Sequence, residues 1–548
     1  MIPGPGVPLE ERLRDWLTVP FDKRVLVVAR TVTALNRLLD IVSLIQTDRR
    51  VQIVFTTDPA GRAVFRRGVN EMLTAMEVAV VTWEHATAVE FHLIVAASEN
   101  DRLHLLRGPK LLVAHGFGHQ KYYPNGQVVA GMNPARLLRD GRLIPTVIGI
   151  SHPAQKAELA ITCPPAAEHA TVIGDPALDR MLASHHHGPA YRRAFGASGR
   201  TVVLLASTWG KDSLFRRWPE LPEATATALS VDRHRLLLVL HPGVRATHSQ
   251  WQVEAWLTRA REAGLVLVDQ RHWQAALVAS DAVIADQSSL ALYAAALRKP
   301  LLLTPGEAEH TVVGSPLDQL AASTDRLQPH EPLGPQIAAL AATEPPADRA
   351  KIIAAGVSEV SSSAKVLRDT LHELLNLAAR APDANYPPAP KPAPQPISWT
   401  TLVASATEHD GALRIHRVPA LRYGIPFDDN DFRHLIADLD TASIAEVSAA
   451  RIIVCTDTDE REFAATAPAL LTEWSHARLV VMRNSLGECV VHHAEGRVIA
   501  SAQEPPIGFD PTVLASMVYI RLLRRQPPTG TGRLTLGDHT FTVRVVAG

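Results

Sequence analysis

The sequence predicts an α/β fold in which parallel strands are covered by helices on both faces, followed by a smaller α+β domain. Runs such as RVLVVA at 24–29 and TVVLLA at 201–206 are apolar at successive positions, which is typical of strands buried on both faces. Helix-like segments separate these runs, and an alternation of strand and helix favours a parallel sheet. A Pro-rich stretch at 381–397 then separates the last part of the chain.

The predicted strands fall into two sets, one before about residue 195 and one after it. The first set comprises 24–29, 51–55, 78–83, 91–97, 110–114, 145–150 and 171–174, and the second comprises 201–206, 235–240, 264–269, 281–286 and 300–303. Helices are predicted between them, for example at 33–46, 249–264 and 289–299. We therefore predict two Rossmann-like lobes that face each other across a cleft, over residues 1–195 and 196–380.

The Pro-rich stretch 381–397 is predicted to be an extended, semi-rigid linker, because proline favours the polyproline II conformation. Beyond it, residues 398–548 contain apolar runs typical of strands and one segment, 511–525, typical of a helix. We predict a small α+β domain there. No group of residues in it points to a particular chemistry, so its role stays open.

Composition excludes several classes of protein. A chain of 548 residues exceeds the size of a single hydrophobic core, and a net charge of −1 provides no broad basic field for nucleic acid. The three cysteines are too scattered for a disulfide framework or a zinc site. The N-terminal residues lack the pattern of a secretory signal, and no uncharged apolar run approaches the roughly 20 residues of a membrane span. We predict a cytoplasmic protein.

Ligands of open α/β sheets bind beyond the carboxyl ends of the strands, and the segment AHGFGHQK at 114–121 follows a predicted strand. His115 can act there as a general base, because imidazole titrates near neutral pH. Gly116 and Gly118 allow the backbone to bend sharply or to approach a ligand closely. The alternative is that His115 only forms hydrogen bonds within the loop.

Two further strand ends carry polar residues that suit a phosphate. In LASTWGKD at 205–212, Ser207, Thr208 and Lys211 can supply hydroxyls and a cation, although either hydroxyl can instead cap the next helix. In LHPG at 240–243, His241 ends an aliphatic run and is either a structural histidine or a phosphate ligand. On spacing alone, both interpretations stay open.

The fourth strand end lies in SDAVIADQSSLALYAAALRKP at 280–300. Asp286, Ser288 and Ser289 stand where a predicted strand ends and a helix begins. Ser288 suits an N-cap, and the free N–H groups of the helix attract an anion. An N-cap without a ligand is the alternative. The chain has no Walker A, dinucleotide-binding, zinc-protease or nucleophile-elbow motif, and we predict neither a metal nor a resident cofactor.

Taken together, the motifs resemble a known family. HG-x-x-x-x-K at 115–121, VIGDPALD at 172–179, ASTW at 206–209, LHPG and SDAVIADQSS follow the order seen in CDP-glycerol glycerophosphotransferase-like enzymes. These are teichoic-acid-type polymerases and primases of the GT-B fold, and the resemblance covers roughly residues 24–330. It implies an acceptor-binding first lobe, a second lobe that binds a nucleotide diphosphate donor, and a role in cell-envelope or polysaccharide synthesis.

The resemblance also implies roles for individual residues. His115 corresponds to the histidine proposed to deprotonate the acceptor hydroxyl, and His241 to the histidine that contacts the donor phosphates and helps the nucleotide leave. Asp286, Ser288 and Ser289 correspond to the element that binds the donor phosphates, and Lys121 corresponds to a lysine that follows the HG motif. The acceptor is a hydroxyl, either lipid-linked or in a small molecule, and a lipid-linked acceptor would bring the protein to the inner face of the membrane.

The chain departs from the family pattern at two arginines. Val239 and Leu240 stand where the family has an arginine before HP, and Ala177 replaces a second one. Because a guanidinium binds phosphate through two parallel hydrogen bonds, these losses keep other hypotheses open. One is a glycosyltransferase that uses a nucleotide sugar, or an enzyme like UDP-GlcNAc 2-epimerase. Another is a catalytically degenerate nucleotide-binding sensor or interaction protein.

Overall fold

The structure is a computed structural model that describes residues 18–59, 68–123, 126, 128–378, 384–395, 399–420, 432–456 and 458–548. It contains two parallel sheets and one closed barrel. Within these residues, no helix has both the length and the apolar character needed to cross a bilayer.

The first lobe is built on a six-stranded parallel sheet. Its strands are β1 Lys23–Val28, β2 Val51–Thr56, β3 Leu93–Ala96, β4 Lys110–Val113, β7 Val147–Ile150 and β8 Ala170–Val172, with a short hairpin of β5 Leu138–Arg139 and β6 Arg142–Leu143 set apart from them. The strand order is β2-β1-β3-β4-β7-β8. The helices are α1 Val32–Val42, α2 Val69–Ala75, α3 Trp83–Ala88, α4 Pro134–Leu137, α5 Pro153–Thr162, α6 Pro164–Glu168, α7 Pro176–Ala183 and α8 Gly188–Ala194.

One predicted strand of this lobe is wrong. The run 78–83 forms a single bridge, between Val80 and Phe55, and Trp83 already begins α3. Thr82 causes the early turn, because its side chain accepts a hydrogen bond from the His85 amide and caps the helix.

The second lobe is built on a five-stranded parallel sheet with the order β11-β10-β9-β12-β13. Its strands are β9 Thr201–Ser207, β10 His234–Leu240, β11 Val266–Leu267, β12 Ala282–Ala285 and β13 Leu301–Leu303. The helices are α9 Leu214–Arg217, α10 Leu221–Ala228, α11 Pro242–His248, α12 Gln250–Trp256, α13 Thr258–Glu262, α14 Trp273–Ala279, α15 Ser289–Ala296, α16 Pro316–Ala322, α17 Leu333–Ala342, α18 Arg349–Ala354 and α19 Ser363–Leu374. Two Rossmann-like lobes are therefore present, as predicted.

The two lobes exchange helices. Met181 of α7 and Tyr191 of α8 belong to the hydrophobic core of the second lobe, although both helices precede its first strand. In the opposite direction, Leu367 and Leu371 of α19 pack into the core of the first lobe. The predicted segment 196–380 thus includes a helix that lies with the first lobe.

The described part of the linker, residues 384–395, contains neither helix nor strand and lies along α7 and α8. The Arg180 guanidinium donates to the carbonyls of Pro387 and Pro388, at 3.0 Å each. The Tyr191 hydroxyl donates to the Ala389 carbonyl at 2.8 Å. These contacts fix the extended segment on the surface of the two lobes.

The C-terminal domain differs from the small α+β domain that the sequence predicts, because its sheet closes into a nine-stranded barrel. The strands are β14 Thr401–His409, β15 Ala412–Pro419, β16 His434–Asp438, β17 Ile452–Cys455, β18 Leu479–Arg483, β19 Cys489–His493, β20 Gly496–Gln503, β21 Gly530–Leu536 and β22 His539–Ala547. The helices are α20 Ile444–Ala449, α21 Glu460–Glu473 and α22 Leu514–Leu523. All residues of α22 from Leu514 to Ile520 are buried, and every strand contributes to the same core. A helix that is buried on all sides needs cover on all sides, which the closed sheet provides.

This domain packs against the second lobe at the edge opposite the cleft. Arg417 of β15 is fully buried and forms ion pairs with Asp232, before β10, and with Asp510 of its own domain. The Val231 amide donates to the Arg417 carbonyl at 3.2 Å. Because these second-lobe residues precede the strand whose far end reaches the cleft, the C-terminal domain does not cover the cleft.

Candidate active site

A cavity of about 310 Å³ lies between the two lobes. Its walls include residues that follow β3 and β4 in the first lobe and β9, β10 and β12 in the second. In each sheet the strand order reverses at a neighbouring pair, β1 and β3 or β9 and β12, which is where open α/β sheets bind ligands. The cavity therefore occupies the place that the fold predicts for a site.

The loop after β4 is anchored in the second lobe. Phe117 is fully buried in the core of that lobe, where its ring meets Tyr293 edge-on at a centroid distance of 5.2 Å. Beneath the loop, the Arg37 guanidinium donates to the Gly116 carbonyl at 2.8 Å and to the Tyr293 hydroxyl at 2.8 Å. Arg37 also forms a buried ion pair with Asp175 at 2.9 Å. This set joins both lobes directly below the cavity.

Both predicted glycines lie where an added side chain would be crowded. A Cβ atom on Gly116 would lie 3.1 Å from Ser289 Oγ, so the loop lies against the start of α15. Gly118 has a φ of +62°, and a Cβ there would lie 2.5 Å from Gln155 Nε2. Both glycines line the cavity.

The end of the same loop pairs with the second lobe. The Tyr122 amide donates to the His310 carbonyl at 2.8 Å, and the Val312 amide donates to the Gln120 carbonyl at 3.0 Å. Lys121 lies between them and lines the cavity, and its side chain makes no hydrogen bond or ion pair within the described part of the chain. Burial lowers the pKa of Lys121, while the carboxylates of Asp286 and Asp212 oppose that shift.

His115 is exposed to the cavity, whose walls partly shield its ring from bulk water. This desolvation lowers the pKa of His115, and the positive charges of Arg37 and His119 act in the same direction. The Glu99 carboxylate and the Ala97 carbonyl oppose them. His115 is therefore neutral at pH 7 and can accept a proton.

His119 belongs to the same loop, and its side chain packs against Ala130 and Gly131. Its Nδ1 donates to the Ala130 carbonyl at 2.7 Å, and its ring packs against Gly131, where a Cβ would lie 2.3 Å away. Burial lowers the pKa of His119.

His241 faces the loop from the second lobe. The Gly243 amide donates to Nδ1 at 3.0 Å, so in the neutral ring the proton resides on Nε2. Nε2 lies 3.3 Å from Thr33 Oγ1 of the first lobe and can donate to it. Desolvation, together with His115 and Lys121, lowers the pKa of His241 to about 3. The ring is thus a neutral hydrogen-bond donor at physiological pH.

The N-terminus of α15 opens into the cavity. Ser288 occupies the N-cap position, but its side chain makes no capping hydrogen bond and instead lies 3.4 Å from the Asp286 carbonyl. Ser288 and Ser289 both line the cavity. The first amides of the helix therefore keep their capacity to bind an anion.

Asp286 is buried behind the cavity wall. One carboxylate oxygen accepts from the amides of Thr208 and Leu214 at 2.6 and 3.0 Å, whereas Oδ1 has no partner among the described residues. Burial raises the pKa of Asp286. In this position Asp286 holds the loop after β9 and does not line the cavity.

Of the three residues predicted in that loop, two line the cavity and one does not. Ser207 and Thr208 line the cavity, but Ser207 Oγ already accepts from the Phe215 amide at 3.1 Å. Lys211 is exposed, pairs with Glu309 and does not line the cavity. The cavity thus unites nine of the eleven predicted residues, which are His115, Gly116, Gly118, Lys121, Ser207, Thr208, His241, Ser288 and Ser289.

Sequence reasoning missed several residues of the site. Asp175 and Trp209 belong to the motifs VIGDPALD and ASTW, but neither motif singles them out. Arg37 and Tyr293 are polar residues inside helices, and Glu99 belongs to no distinctive pattern. Arg37, Tyr293, Trp209 and Glu99 line the cavity. Within the described residues, no group of three or more His, Cys, Asp or Glu side chains is placed to hold a metal ion.

Comparison with known proteins finds no matching family model and no matching curated protein. Several solved structures are similar. The wall teichoic acid polymerase TagF soaked with CDPG is 13% identical, and the match covers 65% of this chain and 89% of that one with a TM-score of 0.43. The S. aureus MnaA–UDP co-structure is 10% identical over 67% of this chain and 100% of that one, with a TM-score of 0.36. Anabaena HepE in complex with UDP and glucose is 14% identical over 65% and 99%, with a TM-score of 0.34. A wall teichoic acid polymerase is thus among the solved structures to which the chain is similar.

Proposed function

We propose that the chain is a transferase that moves a glycerophosphate-like group from a CDP-activated donor to an acceptor hydroxyl. The observation that carries the proposal is that His115 and His241 come from opposite lobes and share one cavity. They are close enough for His115 to lower the pKa of His241. One histidine can therefore act on the acceptor while the other acts on the donor.

His115 is the general base of the proposed reaction. The acceptor oxygen forms a bond to the donor phosphorus that carries the glycerol, its proton passes to His115, and the bond from that phosphorus to CMP breaks. A neutral imidazole is the form that accepts a proton, and the lowered pKa of His115 favours this form at pH 7.

The donor phosphates are bound from the second lobe and by Lys121. Charge increases on the leaving phosphate as its bond breaks, and three kinds of donor meet it. These are the Nε2–H group of His241, the free amides at the start of α15 and the Lys121 ammonium group. Preorganised donors of this kind typically contribute about 10²–10³-fold in rate each.

A second candidate is a glycosyltransferase, or an epimerase, that uses a nucleotide sugar. Among the described residues, Arg37 is the only arginine that lines the cavity, and its guanidinium is already paired with Asp175, which favours this candidate. A site without a free guanidinium fork lacks the bidentate phosphate contact of the resembled family. The same residues could also bind a nucleotide without turnover, as in a sensor.

Activity with a panel of donors separates these functions. We expect release of CMP from CDP-glycerol in the presence of a hydroxyl acceptor, and a loss of about 10²-fold or more in kcat for His115→Ala and for His241→Ala. Turnover of UDP-sugars alone would favour the second candidate. Calorimetric binding of CDP or UDP conjugates without turnover over a range of acceptors would favour the sensor, and full activity of either histidine variant would contradict its role.

A further inference from the structure

Glu99 and His115 stand side by side at the ends of two neighbouring strands. In the parallel pair of β3 and β4, Ala96 lies opposite Leu112. Glu99 comes three residues after the end of β3 and His115 two residues after the end of β4, at the same edge of the sheet. Both side chains line the cavity, and the carbonyl of Ala97, two residues before Glu99, also acts on the His115 ring.

The Glu99 side chain is fixed in this place. Its Oε1 accepts a hydrogen bond from the Gly131 amide at 2.9 Å. No lysine or arginine of the described residues forms an ion pair with it. Its negative charge is therefore not cancelled by a neighbouring cation, and it acts on His115 and on His119 alike.

We propose that Glu99 is a positioning residue of the acceptor half of the site, whose carboxylate stabilises the imidazolium that forms when His115 takes the acceptor proton. This inference rests on the proposed role of His115 as the base. During the transfer the O–H bond of the acceptor breaks and an N–H bond forms on His115, while the acceptor oxygen bonds to the donor phosphorus and the bond from that phosphorus to CMP breaks. The matching negative charge leaves with CMP, and one positive charge forms on His115.

The groups around His115 explain why that charge needs a partner. Arg37 from α1 and His119 from the same loop both disfavour it, and His241 faces it from the second lobe. Desolvation disfavours it further. Glu99 is the carboxylate that opposes these effects most strongly at His115.

Glu99→Gln tests the inference, because the amide oxygen of glutamine can still accept from the Gly131 amide. We expect the pKa of His115, followed by NMR of ¹⁵N-labelled histidine rings and assigned with His115→Ala, to fall further. We also expect the acidic limb of the kcat/KM profile to move to lower pH by the same amount. At the high-pH plateau of the profile, kcat should fall by up to about tenfold for each unit by which the pKa of His115 falls. The KM for the donor should stay constant.

Two variants complete the experiment. Glu99→Asp keeps the negative charge, so the pKa of His115 and kcat should both lie between those of Glu99→Gln and those of the wild type. Glu84→Gln removes an exposed carboxylate of α3 outside the cavity and should leave both as in the wild type. The NMR titration does not depend on turnover, so it decides on Glu99 even if none of the donors is used. An unchanged pKa of His115 in Glu99→Gln would overturn the inference.

Discussion

At the scale of single residues, the site is defined by which polar groups are already engaged and which are not. Arg37 and Asp175 are both buried and satisfy each other, so they support the loop and leave no charge for a ligand. Lys121 differs, because it reaches the cavity from a loop paired with the second lobe and has no partner of its own in the described chain. The Arg37 guanidinium is therefore engaged within the protein, whereas the Lys121 ammonium group can reach a ligand.

We predict that Lys121→Ala weakens donor binding. A charge-assisted hydrogen bond contributes roughly 1.5–3 kcal/mol, so the Kd of the nucleotide donor should rise by about ten- to a hundredfold. Calorimetry with the donor measures this directly. Lys156→Ala, which removes an exposed lysine of α5, is the matched control, and an equal Kd for both variants would contradict the role of Lys121.

Individual site residues were predictable to the extent that they follow a strand directly. His115, His241 and Ser288 each stand within a few residues of a strand end, and all three line the cavity. Lys211 was predicted by the same rule but lies outside the cavity, because the loop after β9 turns outwards and pairs it with Glu309. Local sequence determines where a strand ends, but not the direction in which the following loop turns.

At the scale of elements, the loop after β4 is the part that joins the lobes. Phe117 lies in the second-lobe core, and the end of the loop forms a bridge from Lys121 to Thr311. Nothing in the sequence around Phe117 distinguishes it from an exposed loop residue, since its partners, among them Tyr293, lie far along the chain. The partition of strands between two sheets was predictable, whereas this contact depends on tertiary structure.

We expect Phe117→Ala to loosen the site as well as to destabilise the protein. Removing a buried phenylalanine ring costs roughly 3–5 kcal/mol, and here it also releases the loop that carries His115. Thermal unfolding should report the loss of stability, and kcat/KM should fall by more than the fraction unfolded explains. Phe117→Leu, which keeps an apolar side chain in the same space, should recover most of both; a similar loss in activity for the two variants would contradict an anchoring role.

The C-terminal domain illustrates the limit at this scale. Its strand segments and its helix at 511–525 were predicted from local patterns, and β17, β18, β19 and α22 are present there. Closure was not predicted, because it depends on pairings such as β14 with β16 and β15 with β21. Such long-range pairings leave no local signal in the sequence.

At the scale of the whole molecule, buried neutral histidines link stability to pH. His434 of the barrel is fully buried, donates from Nδ1 to the Phe432 carbonyl and receives a hydrogen bond from Ser516 at Nε2. Desolvation lowers the pKa of His434 to about 4. His434 is therefore protonated below about pH 6.5 in the unfolded state but stays neutral down to about pH 4 in the folded state.

We predict that the free energy of unfolding falls as the pH decreases from 6.5 towards 4. The contribution of His434 to the free energy of unfolding is complete above pH 6.5 and is lost as the pH falls to the pKa of the folded state, about 4. This loss amounts to roughly 3 kcal/mol. Urea unfolding at pH 7 and at pH 4.5 measures the difference. His434→Asn should reduce it, whereas His185→Asn, at an exposed position, should not; the same pH dependence in both variants would argue against this assignment.

The exchange of helices between the lobes bears on how such a protein can be recombined. A chimera joined at residue 195 would leave the second sheet without Met181 and Tyr191, and would set Leu367 and Leu371 against a foreign surface. The segment that keeps these four residues with the cores they belong to instead begins before α7 and ends before α19, although Phe117 of the first lobe still enters the second core. The second-lobe module of this chain is therefore longer at its start and shorter at its end than the order of its strands suggests.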